Sequence, residues 1–124
     1  MSYTVKDPIS KDLRFKWLNE ILGYNLKIKV EMSLDDFDNE TLPLVVRTKI
    51  WSRFIEKRFP KIDVVISSEE YGSSFANHLG ASSVLFDLMR SQVPISATKI
   101  REQPIKYWQF IPEPVRAYFS QTYL

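Results

Sequence analysis

Cysteine is absent from the 124 residues and histidine occurs once, at His78. The chain can therefore build no disulfide framework, zinc-thiolate centre, cysteine nucleophile or site of several histidines. A reducing, cytoplasmic setting is expected. Glycine is scarce too, at three residues beside seven prolines, which excludes collagen-like and linker-like composition. No long apolar run occurs, and the opening MSYTVKDPIS lacks the apolar stretch of a signal peptide. Neither a spanning helix nor a secretory signal is expected, and no membrane partner. A surplus of one charge is also missing: 17 Lys and Arg stand against 15 Asp and Glu. Proteins that track a phosphate backbone show a clear basic excess, so nucleic acid is not an expected partner, whereas one small anion is still allowed.

What is present suits a packed α/β domain. Hydrophobic residues make up 44%, including 8 Phe, 6 Tyr and 3 Trp, enough for one core. Ser10 is a good cap for a helix from Lys11 to Leu22, in which Leu13, Trp17, Leu18, Ile21 and Leu22 share a side and Gly23 offers a left-handed stop. From Leu26 to Met32 apolar residues alternate with Lys27, Lys29 and Glu31, the pattern of a strand with one apolar face. Asp35, Asp36, Asp38 and Glu40 follow in a loop that reads as a solvated acidic turn or a metal-binding one. Pro43 then opens a helix carrying Leu44, Thr48, Trp51, Ile55 and Arg58 on one stripe, and Pro60 ends it.

Ile62 to Ile66 and Ser83 to Asp87 are short runs without alternation, as expected for strands covered on both faces. A short helix from Ser73 to Leu79, followed by Gly80, lies between them, giving a βαβ unit and a parallel sheet. Short helices punctuated by Pro94, Pro104, Pro112 and Pro114 end the chain, and no repeat or linker divides it.

In an open parallel sheet, ligands bind beyond the carboxyl ends of the strands. Two loops leave that edge: Ser67-Ser68-Glu69-Glu70-Tyr71-Gly72, and the stretch from Asp87 to Ser96-Ala97-Thr98-Lys99-Ile100-Arg101. Ser96 as a helix cap would leave the amides of Ala97, Thr98 and Lys99 pointing outward, with the Ser96 and Thr98 hydroxyls, Lys99 and Arg101 beside them. This is a phosphate-sized anion site or an ordinary capped helix. Glu69 and Glu70 are a candidate acid–base pair or a solvated loop. Trp51, Tyr107 and Trp108 are stacking platforms for a flat ring or core residues. His78, in Asn77-His78-Leu79-Gly80-Ala81, has Ala81 where an H-x-G-H signature needs its second histidine, and is read as a helix-surface or cap residue.

The ordered stretches VVISSEEYGSSFANHLG, VLFDLMR and VPISATKIREQPIKYWQFIPEPVRAYF resemble the carboxyl-terminal half of the nicotinamide-nucleotide adenylyltransferase domain of NadR-type proteins. Residues about 61 to 120 carry the match. Residues about 9 to 60 match more loosely, through Arg14, Trp17 and Trp51. The resemblance implies a Rossmann-like nucleotidyltransferase fold with a parallel sheet. The implied reaction joins nicotinamide mononucleotide to the adenylyl part of ATP, with Mg²⁺, and releases pyrophosphate. It further implies that Ser96, Ala97, Thr98 and Arg101 bind the ATP phosphates, with Thr98 and Arg101 catalytic and Lys99 adding charge. Ser67, Ser68, Glu69, Asp87 and Arg90 would line the nucleotide cleft. Trp51 would stack on nicotinamide, although Thr48 stands where the family's earlier tryptophan falls.

The family domain opens with a strand, a glycine-bearing turn, H-x-G-H and a second strand, none of which has a counterpart in these 124 residues. The remaining strands are thus expected to close up or to pair with another chain, either a second copy or one supplying the amino-terminal half. On its own the chain is expected to bind ATP weakly and to catalyse little. A non-catalytic nucleotide-binding or complementation module, and adenylyl transfer to another nucleotide-like acceptor, are the alternatives. A kinase P-loop is not written here.

Overall fold

Each of the longer helices begins where a cap or a proline directs it and ends where the pattern breaks. In the computed structural model, which describes residues 1–35 and 41–123, the order is β1 (Ser2–Tyr3), α1 (Lys11–Leu22), β2 (Ser33–Leu34), α2 (Leu44–Arg58), β3 (Val64–Ser67), α3 (Tyr71–Leu79), β4 (Ser82–Leu85), α4 (Ala97–Glu102), a 3₁₀ turn (Trp108–Phe110) and α5 (Glu113–Tyr123). The class is α/β, and both two-stranded sheets, β1–β2 and β3–β4, are parallel. No helix among the described residues is long and apolar enough to cross a membrane. The expected acidic loop lies outside the described residues at Asp36, Asp38 and Glu40. Contacts group the chain into two units, one from residues up to 37 and from 95 onward, the other between them.

In the first unit, Ser10 caps α1 by accepting the Leu13 amide at 3.3 Å. The helix buries Trp17, whose ring meets Tyr118 of α5 edge to face at 5.6 Å. Phe119 stacks edge-on to Tyr118 at 5.2 Å and, with Ile95 and Ile111, completes a small, largely aromatic core. Arg116 of α5 fixes the 3₁₀ turn by donating to the carbonyls of Ile111 at 2.9 Å and Trp108 at 3.3 Å. Beside α1, Arg14 pairs with Asp7, whose carboxyl sits below its ordinary pKa, chiefly because it accepts the Thr4 amide.

Two sequence expectations fail in this unit. Residues 26–32 form no strand; Leu26 is fully exposed and Ile28 is 42% exposed. The alternation supplies an apolar face, but a strand also needs a neighbour to pair its amides and a layer to cover that face. The chain start reaches only the end of this stretch, where the Met1 amino group donates to the Glu31 carbonyl at 2.7 Å, and strand pairing falls one step later, between Ser2–Tyr3 and Ser33–Leu34. Gly23 does not take the left-handed conformation either. Its φ is −66°, and its amide continues the helical ladder to Asn19 at 2.8 Å.

The second unit is a βαβ with α2 packed on its helix. β3 and β4 pair in register from Val64 with Ser82 to Ser67 with Leu85, and α3 crosses between them. α3 ends at Gly80, which adopts φ +67° as a left-handed cap. The buried face of α2 is made of hydroxyls rather than aliphatic side chains. Thr48 meets Ser74 at 2.6 Å, and Ser52 is 2% exposed, which lets α2 lie close to α3.

The strands here are not covered on both faces. Paired residues of parallel strands share a face, so Val64, Ile66, Val84 and Phe86 project together, and their exposures run from 48% to 71%. α3 covers the side of Val65 and Ser67 only. Apolar runs in β3 and β4 show that a second layer is called for chemically, but not where it comes from.

Candidate functional site

The helix-start cluster forms as its residue types dictate. Ser96 is extended at φ −136°, ψ 161°, and its hydroxyl accepts the Lys99 amide at 3.3 Å. That bond uses one of the three amides expected to point outward. The amides of Ala97 and Thr98 donate to no group among the described residues. Ala97, Thr98 and Lys99 are exposed, and Arg101, one turn on, is half-buried with its guanidinium donating to the Thr98 hydroxyl at 3.4 Å. Two amides, two hydroxyls and two cations thus converge on one turn, a set of donors without a carboxylate among them. Such a set is chemically suited to a phosphate.

The loops of the second unit are organised by their own carboxylates. Asp87, at φ 51°, folds its side chain over the next turn. One oxygen accepts the amides of Ser91 at 2.8 Å and Gln92 at 2.9 Å and the Ser91 hydroxyl at 3.1 Å; the other accepts the Val93 amide at 2.6 Å. The carboxylate proposed for the nucleotide cleft is therefore occupied by the loop. These bonds offset the strain of two left-handed residues, Asp87 and Arg90 at φ 55°. They also hold the Asp87 carboxyl below its ordinary pKa of 3.8, first through the Gln92 amide and then the Val93 amide.

A lowered carboxyl pKa stabilises the folded loop above about pH 4, and that contribution is lost as pH falls through the folded value. Amide exchange at Gln92 and Val93 is accordingly expected to be slow at pH 6 and to accelerate as the pH is lowered below about 4, relative to amides of α1. Asp87→Asn is expected to abolish that acid sensitivity. Exchange that keeps the same pH profile in the variant would contradict this role.

Glu69 and Arg90 are brought together, with the guanidinium donating to the carboxylate at 3.0 Å and so tying the loop after β3 to the loop after β4. Ser67 closes a turn by accepting the Glu69 amide at 3.0 Å, and Ser68 lies half-buried next to it. Glu69 and Glu70 form no carboxylate pair: Glu69 engages Arg90, while exposed Glu70 precedes the first turn of α3. Ser67, Ser68, Glu69, Asp87 and Arg90 belong to one unit, and Ser96 to Arg101 to the other.

The aromatic candidates are engaged in packing. Trp51 is half-buried and meets Phe54 edge to face at 5.6 Å. The Arg116 guanidinium lies 5.6 Å from the Trp108 ring centre, and Lys106 lies 5.3 Å from that of Tyr107. His78 sits in the last turn of α3, where its Nε2 donates to the Val45 carbonyl at 3.1 Å, a surface role as its sequence context suggests.

One site residue escaped the sequence reading. A Cβ on Gly72 would stand 2.5 Å from the Ser67 Cβ and 3.5 Å from Leu85, so only glycine lets α3 sit down on the carboxyl ends of β3 and β4. The signal was the position of this glycine, one of three, directly after the Ser67-Ser68-Glu69 turn.

No family model matches the chain. It is 30% identical over 115 residues to the trifunctional NAD biosynthesis/regulator protein NadR of Escherichia coli, and equally to that of Salmonella typhimurium. The match takes in 88% of this chain and 27% of each relative, so the chain spans about a quarter of their length and is similar to a region of NadR.

Proposed function

We propose that this chain is the phosphate-gripping, carboxyl-terminal part of a nicotinamide-nucleotide adenylyltransferase of Rossmann-like fold. The observation that carries the reading is the 30% identity over 115 residues to NadR proteins, whose name states NAD biosynthesis. The local geometry supports it: the Ser96 and Thr98 hydroxyls, the free amides of Ala97 and Thr98, and Arg101 gather on one turn.

In the reaction, a phosphate oxygen of nicotinamide mononucleotide attacks the α-phosphorus of ATP. The bond to the bridging oxygen breaks, and pyrophosphate leaves with the electron pair. Charge grows on the α-phosphate and on the leaving group, and fixed donors aimed there lower the barrier. Arg101 and the two amides supply such donors, Thr98 is oriented by Arg101, and Lys99 adds positive charge. Among the described residues no three His, Cys, Asp or Glu side chains gather to cage a metal. In this reading Mg²⁺ arrives with the substrate, carried on the ATP phosphates.

The complete site needs donors from outside these 124 residues, because the H-x-G-H element has no counterpart here. Mixing the chain with a separately produced strand–H-x-G-H–helix segment of a NadR protein tests the reading. NAD and pyrophosphate are expected in equal amounts from the mixture and from neither part alone. A mixture that binds but yields neither product would contradict it. The second reading, a complementation module without catalysis, is favoured by the open apolar face of β3 and β4. A different adenylylated product would point to another acceptor.

A further inference from the structure

α2 carries Lys49, Arg53 and Lys57 at intervals of four residues, a single stripe with neighbours about 6 Å apart along the helix axis. All three are exposed, and among the described residues none makes an ion pair. Like charges at this spacing repel and weaken a helix. They border a hollow of about 330 Å³ between α2 and α3, whose remaining lining is Ser52, Glu56 and His78. Ser52 is 2% exposed and its hydroxyl donates to the Lys49 carbonyl at 2.8 Å, so its proton is spent within the helix and the three cations are left to hold an anion. The Nε2 of His78 is committed to Val45, so the ring is fixed in orientation at the rim. Three cations against one carboxylate give the hollow a surplus of two positive charges beside the packed α2–α3 pair.

We propose that this groove is a second anion site, separate in sequence from the Ser96–Arg101 turn, which takes a small phosphate-bearing molecule of at least two negative charges. Unpaired cations converging on a concave polar surface focus a positive potential there, and phosphate is the anion that guanidinium and ammonium groups hold best together. Glu56 sets the charge requirement: a singly charged anion is held weakly against it, and a doubly charged one is not.

Amide-resolved NMR titration of the whole chain, with inorganic diphosphate, inorganic phosphate or ribose 5-phosphate at constant ionic strength, tests this. Saturable shifts at residues 49–57 and 78 are expected with at least one of these probes, and the probe that saturates first distinguishes an inorganic from an organic source. Arg53→Ala is expected to weaken that binding about tenfold, and Glu56→Gln to strengthen it. Both positions are exposed, so the fold is retained and the shifts of the α1 amides verify it. Shifts that do not saturate with any probe, or an affinity unchanged in Arg53→Ala, would overturn the proposal. Shifts at 96–101 report the other turn and are scored separately.

Discussion

Gly72→Ala is expected to unfold the second unit at a markedly lower temperature than the parent chain. The added methyl would lie 2.5 Å from the Ser67 Cβ, a separation that requires α3 or the end of β3 to move. Overpacking of this kind costs about 1–3 kcal/mol. Alanine regains up to about 1 kcal/mol of helix propensity, less at the second residue of a helix than in its interior. The balance is destabilising by roughly 1–2 kcal/mol, or several degrees in Tm. Gly80→Ala is the informative comparison. Nothing lies within 4 Å of a Cβ there, so its cost comes only from holding alanine at φ +67°. Thermal unfolding followed by circular dichroism checks both. The Ser67 turn is the specific casualty in Gly72→Ala, read as faster exchange of the Glu69 amide, which the Ser67 hydroxyl accepts. A Gly72→Ala protein as stable as the parent, with that amide still protected, would contradict the close approach.

Arg101→Ala is expected to weaken ATP binding about ten- to a hundredfold, the effect of losing a hydrogen bond to a charged group worth roughly 1.5–3 kcal/mol. The guanidinium contributes twice. It supplies charge at the turn, and through its 3.4 Å bond it orients the Thr98 hydroxyl. Arg101→Lys keeps the charge and loses the planar fork, so an intermediate affinity is expected. Arg116 provides a control of the same chemistry. It is committed to the carbonyls of Ile111 and Trp108, and its replacement is expected to lower stability rather than to change the response to ATP at the turn.

How much of this is legible in the sequence depends on whether the information is local. The bounds of α1 follow from Ser10 and the apolar spacing up to Leu22, and α2 begins after Pro43, because capping and proline chemistry act within a few residues. The strand–helix–strand order around α3 was legible from two short apolar runs and Gly80. The strand expected at Leu26–Met32 was not formed, because alternation specifies a face and not a partner. The same gap between local and tertiary information explains the exposed Val64, Ile66 and Val84.

The site divides in the same way. Ser96 as a cap and Arg101 one turn later were readable, since both are set by the geometry of a single helical turn. The position of Asp87 in the loop after β4 is legible, and its bonds within that loop are not. Nothing in its sequence context says that its oxygens close over Ser91, Gln92 and Val93. The stripe of Lys49, Arg53 and Lys57 can be counted off the sequence, but the hollow it borders exists only once α3 brings His78 to the same edge.

The central claim is that the turn from Ser96 to Arg101 holds the phosphates of ATP. Titrating the whole chain with Mg·ATP while following the amides of Ala97 and Thr98 tests it most directly. The account predicts saturable downfield shifts of these two amides, as their unpaired N–H groups acquire an anionic acceptor, and their loss in Arg101→Ala at the same ATP concentration. Unmoved Ala97 and Thr98 amides at saturating ATP, or identical titrations of the two proteins, would contradict it.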